Sequence, residues 1–209
     1  MPFFETVYHN EGILIVNKDS GYPSQPTQMG TNNLFDQLKI DFGYVGMHHR
    51  LDQPASGLLL FTTDPKHNKA ISDGFKEHKI RRKYTLVVAG AVSLSNGSWD
   101  FDINNKHATT QWQKKAYARR MSLLEAEIKT GRKHQIRIHA QRNGTPIVGD
   151  KRYGGIAGQL WQRLALHAHQ LSFFHPALKQ DLTIKAPIPK DLHNLLLPFK
   201  ATLQDIQGP

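Results

Sequence analysis

Short apolar segments bounded by polar residues predict five strands along the chain. Compact apolar runs are typical of buried strands, and alternation of apolar and polar residues is typical of half-exposed ones. Residues 13–16 are apolar throughout, whereas Glu125 and Glu127 alternate with apolar neighbours. The predicted strands are residues 13–16, 58–63, 84–88, 124–128 and 165–173.

Apolar residues spaced about four apart predict helices between several of these strands. Leu34, Leu38 and Phe42 lie on one face of the first helix, which we expect to end at Gly43. The remaining helices are predicted to begin at Asp64-Pro65, at Lys133 and after Pro189. Strands and helices mixed in this order predict an α+β fold.

The composition is that of an ordinary globular domain. Hydrophobic residues make up 39% and charged residues 21% of the 209 residues, so we expect one domain over residues 1–209, with room for two lobes. The chain has no cysteine, which excludes a disulfide framework and a thiolate metal site. No window holds the roughly 20 apolar residues of a membrane span, and the N-terminus lacks a signal-peptide pattern. We therefore expect a cytoplasmic protein, and a monomer by default.

The positive charge favours an anionic partner. The formal net charge is +10 and the pI is about 9.8, and Lys and Arg near phosphates release condensed counterions on binding. The basic residues cluster in residues 76–83, 114–120 and 129–142, and the third cluster contains no acidic residue. This distribution favours nucleic acid as the partner.

Asp52 is the candidate catalytic residue. It lies in the segment His48-His49-Arg50-Leu51-Asp52-Gln53-Pro54-Ala55-Ser56-Gly57, just before a predicted buried strand, where a scaffold can hold a side chain rigidly. Considered alone, the segment favours an ordinary turn, because Asp near Pro and Gly is common turn chemistry. The interpretation of Asp52 therefore depends on the rest of the chain.

Several ordered motifs resemble those of the RluA group of RNA pseudouridine synthases. The segment from His49 to Asp52, followed by Ser56-Gly57-Leu58-Leu59-Leu60, is similar to the signature of that group. Other similar segments are Val16-Asn17-Lys18, Lys83-Tyr84, residues 130–137, Gly149-Asp150 with Tyr153-Gly154, and Leu166-His167-Ala168. The resemblance implies the pseudouridine synthase fold, a mixed and mainly antiparallel sheet flanked by helices with a central active-site cleft. We expect the catalytic domain alone, without an S4-type RNA-binding domain.

The resemblance also implies the activity and the site residues. Asp52 corresponds to the nucleophile, Tyr84 to the active-site tyrosine, and Arg137 to the basic residue that pairs with the catalytic carboxylate. Arg50 corresponds to the signature arginine, which helps to open the RNA and takes the place of the flipped base. The implied reaction converts specific uridines of rRNA or tRNA to pseudouridine without a cofactor or a metal.

These residue types suit that reaction. Breaking an N-glycosidic bond and forming a C–C bond at one sugar carbon needs a nucleophile that later leaves, and a carboxylate does both. A guanidinium within a few Å favours the ionised form of a carboxylate, here through a charge-assisted pair. A tyrosine can stack on the detached base and help to remove its C5 proton, although Tyr84 equally suits the rim of a core. Attack at C1′ and attack at the uracil C6 both stay open.

A uridine in folded RNA must be flipped out to reach an enclosed Asp, at a cost of roughly a few kcal/mol. Basic residues near the site would offset part of this cost. The predicted RNA-binding residues are His49, Arg50, Lys79, Arg81, Arg82, Arg132 and Lys133. For the basic ones, a solvated surface charge is an equally good explanation.

Three alternatives remain beside this function. His167 and His169 would share one strand face, but without a carboxylate cluster or cysteine an ordinary hydrogen-bonded role is favoured over a metal site. An N-glycoside hydrolase would need a second carboxylate, and none lies near Asp52 in the sequence. A non-catalytic RNA-binding module of the same fold would not need to keep Asp52.

Two positions depart from the family pattern. Ala55 stands where a threonine usually precedes Ser56-Gly57, which removes a hydroxyl close to the site. Asp19 replaces a common proline after Asn17-Lys18.

Overall fold

The computed structural model describes residues 3–28, 30, 32–200 and 202, and the described chain divides into two compact units. Unit 1 runs to Arg81 and includes Gln170–Ala186. Unit 2 comprises Arg82–His169 and the residues from Pro187 onward. The chain therefore passes between the units three times. One catalytic domain with a central cleft stays a prediction.

Strands and helices alternate in a mixed α+β fold, which confirms the predicted class. The strands are β1 (Phe4–Asn10), β2 (Ile13–Lys18), β3 (Gly46–Met47), β4 (Ser56–Thr62), β5 (Arg81–Ala89), β6 (Asn96–Asp100), β7 (Thr109–Ala118), β8 (Met121–Ile128), β9 (Leu166–His175) and β10 (Gln180–Lys185). The α-helices are α1 (Leu34–Phe42), α2 (Asn68–Lys76), α3 (Gln135–Arg142) and α4 (Lys190–Leu196). Short 3-10 helices occupy Pro65–His67, Gly155–Gln159 and Leu197–Phe199.

Unit 1 is built around the buried strand β4. β2 pairs with β1 on one side and with β4 on the other, both antiparallel, and β9 pairs with β10 in an antiparallel hairpin. Every residue of β4 is buried, as the apolar run from Leu58 to Phe61 predicts. Its core joins apolar side chains from β2, β4, α2 and β9, namely Ile13, Ile15, Leu58, Leu60, Ile71, Leu171 and Phe173. This core supports the loop that precedes β4.

Helix α1 begins and ends where the sequence predicts, whereas the helix start predicted at Asp64-Pro65 is a 3-10 turn and α2 begins at Asn68. The Asn33 side chain accepts a hydrogen bond from the Asp36 N–H at 3.0 Å and caps α1. Gly43 ends α1 with φ of 72°, a left-handed conformation that glycine adopts without strain. Asp64 caps the turn that leads into α2, accepting from the Lys66 N–H.

Unit 2 contains the strand order β5-β8-β7-β6, antiparallel throughout. Tyr84 on β5 lies opposite Ala126 on β8. α3 begins at Gln135, so the predicted start at Lys133 is wrong by two residues. The reason is local, because His134 has φ of 56° and a left-handed residue cannot continue a right-handed helix.

Five strands were not predicted, namely β1, β3, β6, β7 and β10. β3 has only two residues, and the other four have many exposed polar positions, so no apolar run marks them; β7, for example, contains the exposed Gln111 and Gln113. Among the residues that the structure describes, no helix is long and apolar enough to cross a membrane.

Candidate active site

Asp52 lies half-buried in a turn that leads into β4. Its carbonyl accepts a hydrogen bond from the Ala55 N–H at 3.0 Å, which closes the turn. The preceding residue, Leu51, is buried, and Ser24 bonds to both of its backbone groups: the hydroxyl donates to the Leu51 carbonyl at 2.9 Å and accepts from the Leu51 N–H at 3.2 Å. The backbone on both sides of Asp52 is therefore fixed.

Lys18 supplies the main anchor of this turn. It is fully buried at the end of β2, and its ammonium donates to the carbonyls of Asp19, Tyr22 and Ala55 at 2.7–2.8 Å and to that of Gln53 at 3.3 Å. A buried ammonium needs such partners because removing it from water is costly. The cation thus binds the turn after Asp52 to the loop after β2. The motif Val16-Asn17-Lys18 contains this lysine, but the sequence pattern does not reveal its contacts.

His49 and Arg50 are neighbours in different environments. The His49 ring is 9% exposed, and its Nε2 accepts a hydrogen bond from the Leu60 N–H at 2.9 Å. The ring also packs on Phe75, with ring centroids 4.7 Å apart. This burial favours a structural role for His49 over the predicted contact with RNA. Arg50 is exposed, and its predicted contact with RNA remains open to test.

Tyr84 is buried on β5, with 4% of its surface exposed. Its neighbours on the same face, Leu86 and Val88, are also buried. Burial fits a ring that lines a substrate site and a ring that belongs to the core equally well. The catalytic role of Tyr84 therefore stays a prediction.

Arg137 lies on α3 and forms a two-pronged ion pair with Asp150, which the sequence analysis did not anticipate. Its Nε donates to Oδ2 of Asp150 and its Nη2 donates to Oδ1, both at 2.8 Å. The side chains are 5% and 0% exposed, respectively. Asp150 thus occupies the edge of the guanidinium formed by Nε and Nη2, and the pair between Arg137 and Asp52 stays a prediction.

Asp150 is held in its ionised form. Burial raises the pKa of its carboxyl, but hydrogen bonds and charge from Arg137 and the N–H groups of Tyr153 and Arg152 outweigh burial, so the pKa lies below its usual value. The two N–H groups donate to Oδ1 at 3.1 and 3.0 Å. Each charge of the buried pair is therefore compensated.

Tyr153 completes the surroundings of Arg137. The guanidinium carbon lies 5.0 Å from the centre of the Tyr153 ring, within the range of a cation–π contact. The Tyr153 hydroxyl bonds to Nδ1 of His134 at 2.8 Å. The motif Gly149-Asp150 with Tyr153-Gly154 was the sequence signal for these residues, but the pattern alone does not reveal what they contact.

The predicted RNA-binding arginines and lysines lie mostly at the surface. Arg50, Lys79, Arg81, Arg132 and Lys133 are exposed, and Arg82 is half-buried. Lys79 pairs with Glu77 at 2.7 Å, and Nε of Arg132 donates to the His107 carbonyl at 2.9 Å. In unit 2, the Arg82 guanidinium lies near Gly131, just before Arg132 and Lys133. Unit 2 therefore brings three of the predicted residues to one loop.

His169 forms a buried network in unit 2 with Thr85 and Glu125. Its Nδ1 bonds to the Thr85 hydroxyl at 3.0 Å, and its Nε2 lies 3.4 Å from the Glu125 carboxylate. The nearby His169 ring and the Lys83 ammonium outweigh burial and lower the pKa of Glu125 to about 2. Within the described ranges, no group of three or more His, Asp or Glu residues is placed to hold a metal ion.

Comparisons with known proteins identify the family. Residues 12–142, a range that contains Asp52, Tyr84 and Arg137, match the family described as RNA pseudouridylate synthase. An uncharacterised RNA pseudouridine synthase from Zymomonas mobilis is 30% identical over 87% of this chain and 92% of its own length. The dual-specificity RNA pseudouridine synthase RluA of Pasteurella multocida is 29% identical over 89% of this chain and 94% of its own length.

The fold agrees with this match. The structure of human RNA pseudouridylate synthase domain containing 4 superimposes with a TM-score of 0.74, covering 91% of this chain and 92% of that one at 23% identity. At this identity the likeness shows a shared fold. Together with the family match and the relatives, it shows that the chain belongs to the RNA pseudouridylate synthase family.

Proposed function

We propose that this protein isomerises uridine to pseudouridine in RNA, with Asp52 as the nucleophile. The observation that carries the proposal is the position of Asp52 within the family match, in a turn whose backbone is fixed by Lys18 and Ser24. A nucleophile must be presented at a constant position, because small displacements of a reacting group slow a reaction strongly. The half-buried carboxylate of Asp52 meets this requirement.

The reaction is balanced without any other reagent. The bond from C1′ of the ribose to N1 of uracil breaks, and a bond from C1′ to C5 forms. C5 loses its proton, N1 ends protonated, and the carboxylate that added to the substrate is released unchanged. Because no electrons are gained or lost overall, the isomerisation needs no redox cofactor. Attack at C1′ and attack at C6 both satisfy this balance.

We assign supporting roles to Arg137, Tyr84 and Arg50. Arg137 pairs with the Asp52 carboxylate and keeps it ionised through charge-assisted hydrogen bonds. Tyr84 stacks on the detached uracil while the base turns over. Arg50, exposed two residues before Asp52, enters the RNA and fills the space left by the flipped nucleotide.

We further propose that exposed cations hold the RNA backbone beside the site. Arg81, Arg82, Arg132 and Lys133 would contact phosphates, and Lys79 would have to exchange its contact with Glu77 for one with RNA. Such contacts make binding weaker as salt increases, because fewer counterions are released at high salt. The substrate is an rRNA or a tRNA, and the enzyme acts as a cytoplasmic monomer.

The product identifies the activity directly. Purified protein should be incubated with total rRNA and with tRNA from cells that lack the gene, and the RNA digested to nucleosides and analysed by mass spectrometry. The proposal predicts that pseudouridine appears and that no free uracil is released. Free uracil would instead indicate an N-glycoside hydrolase. Binding of RNA with neither product would indicate a non-catalytic RNA-binding module.

A further inference from the structure

The guanidinium of Arg137 is held both by its ion pair with Asp150 and by the ring of Tyr153. Asp150 takes the edge formed by Nε and Nη2 and thus sets the plane of the guanidinium. The Tyr153 ring lies against one face of the same group. A guanidinium constrained in its plane and on one face has little freedom to rotate.

Asp150 itself stands in a turn that cannot shift easily. Its carbonyl accepts from the Gly154 N–H at 2.8 Å. Gly149 has φ of 74°, and a Cβ atom there would lie 1.8 Å from the Arg163 carbonyl. A Cβ atom on Gly154 or Gly158 would lie 2.5 or 2.6 Å from the Asp150 carbonyl. Only glycines permit this packing, so the backbone of the turn that carries Asp150 is closely packed on several sides.

Stability does not explain the pair. Taking two charges out of water costs several kcal/mol, and replacing a buried ion pair by apolar residues of similar volume is often neutral or stabilising. Two of the contacts to Asp150 come from backbone N–H groups, which orient the carboxylate independently of Arg137. A fixed orientation of Arg137 is what this arrangement achieves.

We propose that Asp150 is a positioning residue for the isomerisation, acting through Arg137 with Tyr153 as its support. Asp150 holds one edge of the guanidinium so that the other edge, which carries Nη1, presents its N–H groups in a constant direction to the catalytic carboxylate. Asp150 does not touch the substrate. This inference rests on the proposed function of Asp52 and Arg137 and adds the group that orients the second of them.

The test uses two carboxylates of unit 2 that each pair with an arginine. Asp150→Asn removes the charge beside Arg137, whereas the control Asp191→Asn removes the charge beside Arg163, whose Nε lies 3.2 Å from Asp191. Release of tritium from RNA labelled at C5 of uridine measures the rate, and its dependence on RNA concentration measures KM. We expect kcat to fall about 100-fold in Asp150→Asn, the scale of a reacting group displaced by about 1 Å, while KM changes less than about threefold and Asp191→Asn keeps the wild-type rate.

A double-mutant cycle separates positioning from a general structural effect. If Asp150 acts only through Arg137, Asp150→Asn should add little to the loss caused by Arg137→Lys. Losses that multiply, or an Asp150→Asn enzyme within about threefold of wild type at saturating RNA, would overturn the proposal. Tyr153 provides a second, milder test: Tyr153→Phe keeps the ring beside Arg137 and should remain active, and Tyr153→Leu should lose part of kcat without a change in KM.

A spectroscopic measurement does not depend on activity. The Nε–H proton of Arg137 is buried against Asp150 and should exchange slowly with water in the wild-type protein and in Asp191→Asn. It should exchange rapidly in Asp150→Asn. Slow exchange in Asp150→Asn would overturn the positioning of Arg137. A wild-type protein that protects this proton but releases no tritium from any RNA would instead overturn the proposed function.

Discussion

Two buried charges of opposite sign anchor neighbouring groups in the two units, and they do so in different ways. In unit 1, the ammonium of Lys18 donates to four backbone carbonyls and fixes the turn that carries Asp52. In unit 2, the carboxylate of Asp150 accepts from two backbone N–H groups and fixes the side chain of Arg137. One charge holds main chain, and the other holds a side chain.

The difference follows from the lengths of the two side chains, Asp52 and Arg137. Asp has a short side chain with few rotatable bonds, so fixing the backbone around Asp52 fixes its carboxylate as well. Arg has a long side chain that loses much conformational freedom when it is ordered. Its head must therefore be held directly, which is what Asp150 does for Arg137. Breaking either anchor should reveal how much each contributes.

The largest effect on stability is expected for Arg137→Met. This change leaves Asp150 buried without its ion partner, which costs about 3–5 kcal/mol of unfolding free energy. It should also abolish activity at temperatures where the variant is still folded. Denaturant unfolding and tritium release measure the two effects.

The control is Arg132→Met, on the exposed loop before α3. The contact of Arg132 Nε with the His107 carbonyl is at the surface, so the free energy of unfolding of Arg132→Met should stay near that of the wild type. If Arg137→Met stayed active and Arg132→Met did not, Arg132 would replace Arg137 as the partner of the catalytic carboxylate.

Lys18→Met should have the next largest effect. Methionine fills a similar volume but leaves carbonyls of residues 19, 22, 53 and 55 without the ammonium, at a cost of about 2–3 kcal/mol. Because the turn of Asp52 is loosened, the rate of tritium release should fall as well. Lys69→Met is the matched control, since Lys69 is exposed on α2 and its loss should change neither quantity. Equal behaviour of the two variants would refute the anchoring role of Lys18.

The smallest effect concerns the dependence of stability on pH. Burial lowers the pKa of His175 below its ordinary value of 6.5, and Nδ1 of this ring accepts N–H bonds from Ala177 and Leu178. As pH falls below 6.5, the unfolded chain takes up the proton first, so the folded state loses stability between 6.5 and the lowered pKa.

His175→Asn should make this loss shallower, because its amide oxygen can accept the same N–H groups without titrating. His78→Asn, at an exposed position with φ of 57° that asparagine tolerates, should leave the pH dependence unchanged. Unfolding curves between pH 7.5 and 5 decide the matter. If the free energy of unfolding of His175→Asn fell as steeply with decreasing pH as that of the wild type, His175 would not be the source of the loss.

Much of the fold could be predicted because local chemistry determines it. The cap of Asn33, the stop at Gly43 and the unbroken apolar run of β4 are each encoded within a few residues. β7 could not be predicted in the same way, since a strand rich in Gln and Lys is stabilised by its partners on both sides. The start of α3 was misplaced because the left-handed conformation of His134 has no signal in its residue type.

Within the candidate site, only residues with a matching position in a family motif could be given a function from the sequence. The resemblance pointed to Asp52, Tyr84 and Arg137, but it assigned no function to Lys18 or Asp150. Their importance comes from partners distant in the sequence: Lys18 bonds to the carbonyl of Ala55, 37 residues away. The buried ring of His49 likewise supports the backbone of Leu60, 11 residues away, a contact that the motif does not reveal, and its contact with RNA stays a prediction.

Asp52→Asn tests the central claim most directly. Asparagine keeps the size of the side chain but removes the proposed nucleophile, and Asp19→Asn makes the same chemical change at an exposed position of unit 1. Tritium release should be measured with enzyme in excess over RNA labelled at C5 of uridine. We expect wild type and Asp19→Asn to release tritium equally fast, and Asp52→Asn to be slower by at least about 10⁴-fold, the scale seen when a covalent nucleophile is removed. Release by Asp52→Asn at the wild-type rate would contradict the account.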